Sequence, residues 1–107
     1  MSNVFEELTE DDYSILTGEL FFQIKDRRIA LANAIIDYKF QPGEKEKQNI
    51  ENAQREYVIL LSEYISKRFF LLMGYDTVSA FLQAQWYKSR RSYYSNLKKF
   101  RKTAGVN

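Results

Sequence analysis

The stretch FQPGEKEK, residues 40–47, decides how this 107-residue chain folds. Pro42 cannot continue a helix and pushes Gln41 out of helical backbone space, and Gly43 completes the turn. The segments on both sides of the turn are rich in Glu, Lys, Gln, Leu, Ala and Arg, which favour helix. Two long helices joined by so short a loop run antiparallel, so this stretch predicts a helical hairpin.

A second break is MGYD, residues 73–76, where Gly74 suits the left-handed position after a helix and Asp76 suits an N-cap. The two breaks divide the chain into three helical segments, predicted at about residues 10–39, 44–73 and 76–102. We therefore expect an all-α fold in a single domain, residues 1–107. Its architecture would be an elongated three-helix bundle, formed by the long hairpin plus a third helix.

The start of the first helix is visible in the local sequence. Thr9 is a suitable N-cap, and Asp12 stands three residues later, where its carboxylate completes a capping box. The acids of the first turn, Glu10, Asp11 and Asp12, also suit the positive end of the helix dipole. These signals predict that the helix begins at residue 10.

The residue types that are missing restrict the chemistry of the chain. There is no cysteine and no histidine, which removes disulfides, thiolate nucleophiles and the commonest general base and transition-metal ligand. Gly43 and Gly74 belong to no phosphate-binding loop, and no G-x-S-x-G pattern is present. We predict a protein that is not an enzyme, with no catalytic residue, metal, cofactor or small-molecule substrate.

The sequence also argues against a membrane or secreted setting. The first residues, MSNVFEELTEDD, are acidic and lack the positive and apolar regions of a signal peptide. The longest uninterrupted apolar run, residues 69–73, is far too short to span a bilayer. We expect a cytoplasmic protein with no membrane partner.

The first predicted helix has two apolar faces. One of them is a stripe with a spacing of seven residues, made of Ile15, Phe22, Ile29 and Ile36. A bundle core and a homo-oligomer interface both explain such a stripe, and the sequence leaves the two open. The intervening positions are poor for a continuous coiled coil, since they hold Gly18, Lys25, Ala32 and Lys39. We expect self-association, with the stripe and Phe70 as protein-interface residues.

The last part of the chain is strongly basic although the net charge is only +2. The run WYKSRRSYYSNLKKFRK, residues 86–102, holds seven Lys or Arg, five aromatic residues and no acid. On a continuous helix, one side carries the residues expected to dock on the bundle: Val78, Leu82, Trp86, Ser89, Tyr93, Leu97 and Phe100. The other side carries the predicted nucleic-acid-binding residues: Tyr87, Lys88, Arg90, Arg91, Tyr94, Lys98, Arg101 and Lys102.

Clustered cations with exposed rings are typical of surfaces that bind phosphates and stack on unpaired bases. The sequence shows no helix-turn-helix, zinc-finger or RNA-recognition signature that would indicate base-specific reading. The first functional hypothesis is therefore an accessory protein that binds nucleic acid, single-stranded or without sequence preference. The alternative is a protein-binding regulator or inhibitor with no nucleic-acid role. In that alternative, the first helix binds a partner protein and the basic helix docks on an acidic surface of that protein.

Overall fold

A computed structural model describes residues 9–103 of the chain, with side chains as far as residue 101, and this part consists of helices and short connections with no strand. Its five helices are α1 (Glu10–Phe40), α2 (Glu44–Ser66), α3 (Phe69–Leu72), α4 (Val78–Gln85) and α5 (Arg90–Thr103). The described part is elongated, 49 × 30 × 22 Å. The all-α prediction is confirmed: α1 and α2 form a hairpin, and the shorter helices pack against it.

The start of α1 is capped as the sequence predicts. The Thr9 hydroxyl accepts a hydrogen bond from the Asp12 amide at 3.1 Å, and the Asp12 carboxylate accepts one from the Thr9 amide at 3.1 Å. The backbone amide and the hydroxyl of Thr9 hold the pKa of Asp12 below its ordinary value, because both stabilise the ionised carboxylate. At the other end, α1 ends at Phe40, and its C-cap Gln41 comes directly before Pro42.

The hairpin is held together by one face of each long helix. From α1, Leu20, Ile24 and Leu31 are buried against α2. From α2, Tyr64 is buried, and its hydroxyl donates a hydrogen bond to the Leu20 carbonyl at 2.8 Å. This bond satisfies a phenol that burial has removed from water, so a polar tip is tolerated inside an apolar core.

The second helix ends earlier than the sequence predicts. α2 stops at Ser66, and Arg68 takes a left-handed conformation with φ 61° before α3 begins. A left-handed backbone costs a non-glycine residue about 1–2 kcal/mol. Burial of Phe70, which is only 7% exposed, contributes about 1.5–3 kcal/mol and offsets that cost. The prediction of Phe70 as an exposed interface residue is therefore wrong, because its ring packs on Phe81 at 5.9 Å between centroids.

The turn at residues 73–77 differs from the prediction in one cap. Gly74 does take the expected left-handed conformation, with φ 95°. The N-cap of the next helix is Thr77 and not Asp76, since the Thr77 hydroxyl accepts a hydrogen bond from the Ala80 amide at 3.0 Å. The next helix therefore begins at Val78, two residues later than expected.

The single helix predicted over residues 76–102 is also wrong, because residues 86–89 break it into α4 and α5. Trp86 is extended at the end of α4 and buried, with its ring 5.9 Å from that of Tyr57. Ser89 restarts the helix, since its hydroxyl accepts a hydrogen bond from the Ser92 amide at 3.2 Å. Ser89 is therefore an exposed cap and not one of the docking residues.

Candidate functional site

The inner face of α5 fixes this helix on the bundle. Tyr93, Leu97 and Phe100 are all buried, and α5 packs mainly on α2. The docking residues before the break behave as predicted, with Leu82 and Trp86 buried and Val78 half-buried. The inner side of the basic segment is therefore used up by the fold, and only its outer side is available to a partner.

The outer side of α5 carries a surface that we call the basic face. Its members are exposed: Arg90, Arg91, Tyr94, Lys98 and Arg101. The first and last lie about 16 Å apart along the helix axis at 1.5 Å per residue. Within the described residues no acidic side chain pairs with Arg90, Arg91 or Lys98. The basic face is thus a ridge of positive charge that the described acidic side chains leave open to solvent.

Tyr94 stands within this row of cations. Its side chain is about half exposed, and its ring meets that of buried Tyr93 edge-on, with 5.0 Å between centroids. The contact with Tyr93 holds one edge of the ring while the rest remains open to solvent. An aromatic ring flanked by cations in this way can stack on a flat ligand while the cations bind its phosphates.

The structure does not bring all eight predicted nucleic-acid-binding residues onto one helix face. Tyr87 and Lys88 lie in the turn before α5, and the Tyr87 hydroxyl accepts a hydrogen bond from the Gln54 side chain. The Tyr87 ring is packed edge-on against Trp86, and the Lys88 ammonium lies 5.3 Å from its centroid. Tyr87 is therefore held against the bundle. The side chain of Lys102 lies outside the described residues.

The basic face has a border on α2. The Arg101 guanidinium donates a hydrogen bond to the Ser62 hydroxyl at 3.3 Å. Next to it, Lys99 forms an ion pair with Glu51 at 3.2 Å. Both pairs are exposed to solvent. They orient this edge of α5 on α2 while the cations further out remain in water.

A second exposed surface lies on α1, and we call it the apolar stripe. Its members are the four residues with seven-residue spacing, Ile15, Phe22, Ile29 and Ile36, each between 48% and 68% exposed. At 100° per residue they lie on the opposite side of α1 from the buried residues that face α2. The sequence left open whether the stripe belongs to the bundle core or to a homo-oligomer interface. Its exposure shows that it is not part of the bundle core.

Some apolar residues are exposed although the sequence does not predict their exposure. Leu71 is half exposed, next to the buried Phe70. The local sequence does not show that Phe70 is buried and Leu71 exposed, because the break at Arg68 changes the direction in which both side chains point. Phe40 is 87% exposed at the last position of α1. Its place just before the Gln41–Pro42 turn is a signal that could have identified it.

Neither a metal centre nor a membrane span is found in the described part of the chain. Among residues 9–101, no three acidic side chains come together as metal ligands would. No helix in this range is long and apolar enough to cross a membrane. Comparison of the chain with protein-family models, with curated proteins and with solved structures gives no match. The two exposed surfaces are therefore the features of the molecule from which a function can be inferred.

Proposed function

We propose that this chain is a small non-catalytic accessory protein of the cytoplasm that binds nucleic acid through the basic face of α5. The observation that carries the proposal is the exposure of Arg90, Arg91 and Lys98 without an acidic partner in the described residues. The sequence of α5 contains no acid at all. A ridge of this kind attracts a polyanion and releases its condensed counterions.

Tyr94 gives this surface a preference beyond charge. Duplex bases are hidden in the stack, whereas unpaired bases offer a face on which a ring can lie. Because Tyr94 is the ring that stands exposed within the basic face, single-stranded nucleic acid without sequence preference fits the surface best. The cations would hold the backbone and Tyr94 would stack on one base.

The connection between α4 and α5 favours a second candidate, duplex DNA. The two helices are joined by the four residues 86–89, which is the connectivity of a helix-turn-helix unit. In such units the second helix enters the major groove and its first residues contact base edges. Arg90, Arg91 and Tyr94 occupy those positions in α5.

Fluorescence anisotropy with labelled 20-nucleotide single-stranded DNA, single-stranded RNA and duplex DNA at several salt concentrations tests the proposal. Neutralising two cations of the basic face, Arg91→Ala with Lys98→Ala, removes about two phosphate contacts. We expect the slope of log affinity against log salt to flatten by about 1.4 for single strands. The matched control, Lys45→Ala with Lys47→Ala at the exposed start of α2, removes the same charge elsewhere. It should leave the slope nearly unchanged.

The ring is tested separately with Tyr94→Ala. Loss of one stacked base costs about 1–3 kcal/mol, while the salt slope should stay the same because no charge is lost. If duplex DNA binds more tightly than either single strand, the second candidate is correct. Absence of binding to all three probes at 50 mM salt would contradict both. It would leave the alternative of a protein-binding regulator or inhibitor with an acidic partner.

A further inference from the structure

The apolar stripe of α1 is a row of exposed side chains that nothing else in residues 9–101 covers. From Ile15 to Ile36 it covers about 32 Å of helix at 1.5 Å per residue. Its four side chains are half exposed or more, and Phe40 extends the surface beyond the last of them. Apolar surface of this extent on one side of a helix usually marks an interaction site.

Gly18 supports close approach of another backbone at this surface. It lies within α1, between Ile15 and Phe22, at an exposed position where an added Cβ would contact nothing within 4 Å. Glycine inside a helix is less favourable than alanine, and no contact within the described residues requires it here. Ala32 is exposed on the same side of the helix. Two small residues on an apolar face allow a second helix to pack at short range.

The charges along α1 indicate what that second helix is. The first half of the helix, residues 10–25, holds four acids and one lysine, whereas the second half, residues 26–40, holds two acids and three basic residues. A second copy of α1 in antiparallel orientation places the acidic half of each helix beside the more basic half of the other. A parallel copy would place the two acidic halves together.

We propose that the apolar stripe is the interface of an antiparallel homodimer, with its two-fold axis beside Lys25 and Asp26. About this axis Phe22 packs near the partner subunit's Ile29, and Ile15 near the partner subunit's Ile36. The acidic first half of each α1 lies beside the more basic second half of the partner subunit's α1. The interface is self-complementary, as a two-fold axis requires. It does not depend on whether α5 binds nucleic acid.

Analytical ultracentrifugation of the full chain, from 1 to 200 µM, tests the interface. We expect the wild-type protein to dimerise and Ile29→Glu to raise the dimer Kd by about 100-fold, because the new carboxylate would be buried without a partner. The matched control is Ile59→Glu on α2, since Ile59 is 49% exposed and Ile29 is 50% exposed. Circular dichroism should show both variants equally helical.

The orientation is tested by crosslinking, which is simple here because the chain contains no cysteine. Near a two-fold axis a residue meets its own copy, so Lys25→Cys should form a disulfide dimer by itself. Ile15→Cys should crosslink only when mixed with Ile36→Cys. Crosslinking of Ile15→Cys with itself would overturn the antiparallel arrangement. A wild-type protein that stays monomeric at 200 µM, or an Ile59→Glu variant that dissociates as readily as Ile29→Glu, would overturn the interface itself.

Discussion

Helices α1 and α5 have the same design but opposite outer chemistry. Each buries one face against α2, through Leu20 and Ile24 on α1 and through Tyr93 and Phe100 on α5. The outward side of α1 is apolar and the outward side of α5 is cationic. Neither outer face is needed to hold its helix in place, since the inner face already does so. The difference fits the two separate uses proposed above, self-association on α1 and anion binding on α5.

The two surfaces should also respond differently to salt. Attraction of a polyanion to the basic face weakens steeply as salt rises, because counterion release loses its advantage. Burial of apolar side chains is largely insensitive to screening, and exposed ion pairs contribute only about 0–1 kcal/mol. Measurements over a salt series therefore distinguish the surfaces without any mutation. Changes in the core, in pH and in surface charge test whether the basic face and the apolar stripe are independent of each other.

The largest effect is expected where both surfaces depend on one core. Phe81 is fully buried, with ring contacts to Tyr64, Phe70 and Tyr75 at 5.6–6.4 Å between centroids. Phe81→Ala should lower the free energy of unfolding by about 3–5 kcal/mol, since it leaves a cavity among these rings. Urea denaturation followed by circular dichroism measures this.

Phe22→Ala is the matched control, because it truncates a ring of the same size that is exposed. Measured at 1 µM, where the proposed dimer is least populated, it should change stability by less than about 0.5 kcal/mol. If Phe81→Ala unfolds α5 while the α1–α2 hairpin stays folded, the two surfaces do not share one cooperative core.

Alkaline pH should loosen α1 and α5 from α2 together. Burial raises the pKa of Tyr64, which contacts α1, and of Tyr93 on α5, each to about 12. In the unfolded chain both titrate near pH 10. Their protonated forms are thus favoured by folding, so stability is constant below pH 10 and is lost as pH rises towards 12, on the order of 2 kcal/mol for each tyrosine.

Thermal unfolding between pH 8 and 12, with tyrosinate absorbance recorded in parallel, measures this loss. Tyr93→Phe should remove the part that belongs to α5 and make the decline shallower. Tyr94→Phe, an equal change at an exposed ring, should change the decline much less, because burial is the main cause of the raised pKa of Tyr93 and the charge of Tyr94 is a smaller one. A Tyr93→Phe protein with the wild-type pH profile would contradict the assignment.

Sequence reasoning succeeded where the signal is local or periodic. The capping box of Thr9 and Asp12, the turn at Pro42 and the burial of Tyr93 all follow from residue type and spacing, and all are confirmed. The outer side of α5 follows as the complement of its buried side. The composition of these segments leaves little choice of fold other than helical.

The two helix breaks could not be predicted because their causes are long-range. Neither Ser66–Arg68 nor Trp86–Ser89 contains glycine or proline. Arg68 adopts a left-handed conformation because Phe70 then reaches Phe81, and Trp86 leaves the helical conformation with its ring against Tyr57. Both partners are distant in the sequence, so the local pattern continues through the break.

The exposure of the apolar stripe could not be predicted for a related reason. In a three-helix bundle every helix contacts two neighbours, and a second apolar face on α1 fits that arrangement equally well. Only the placement of α5, mainly on α2, leaves this side of α1 bare. That placement depends on where Trp86 and Tyr93 bury their rings. The periodicity of α1 carries no information about those two residues.

The smallest effect is expected from Glu51→Gln, which tests whether nucleic-acid binding depends on where a charge lies or only on the total charge of the protein. Glu51 is the acid at the border of the basic face, where it pairs with Lys99. Glu51→Gln removes one negative charge there, and the free energy of unfolding should change by less than about 1 kcal/mol because the pair is exposed. At 50 mM salt, single-stranded nucleic acid should bind about 2- to 3-fold more tightly, and the gain should vanish at high salt.

Glu56→Gln makes the same change at an acid that pairs with Arg27 of α1, away from α5. If the two variants tighten binding equally, total charge governs the interaction and the basic face has no special role in it.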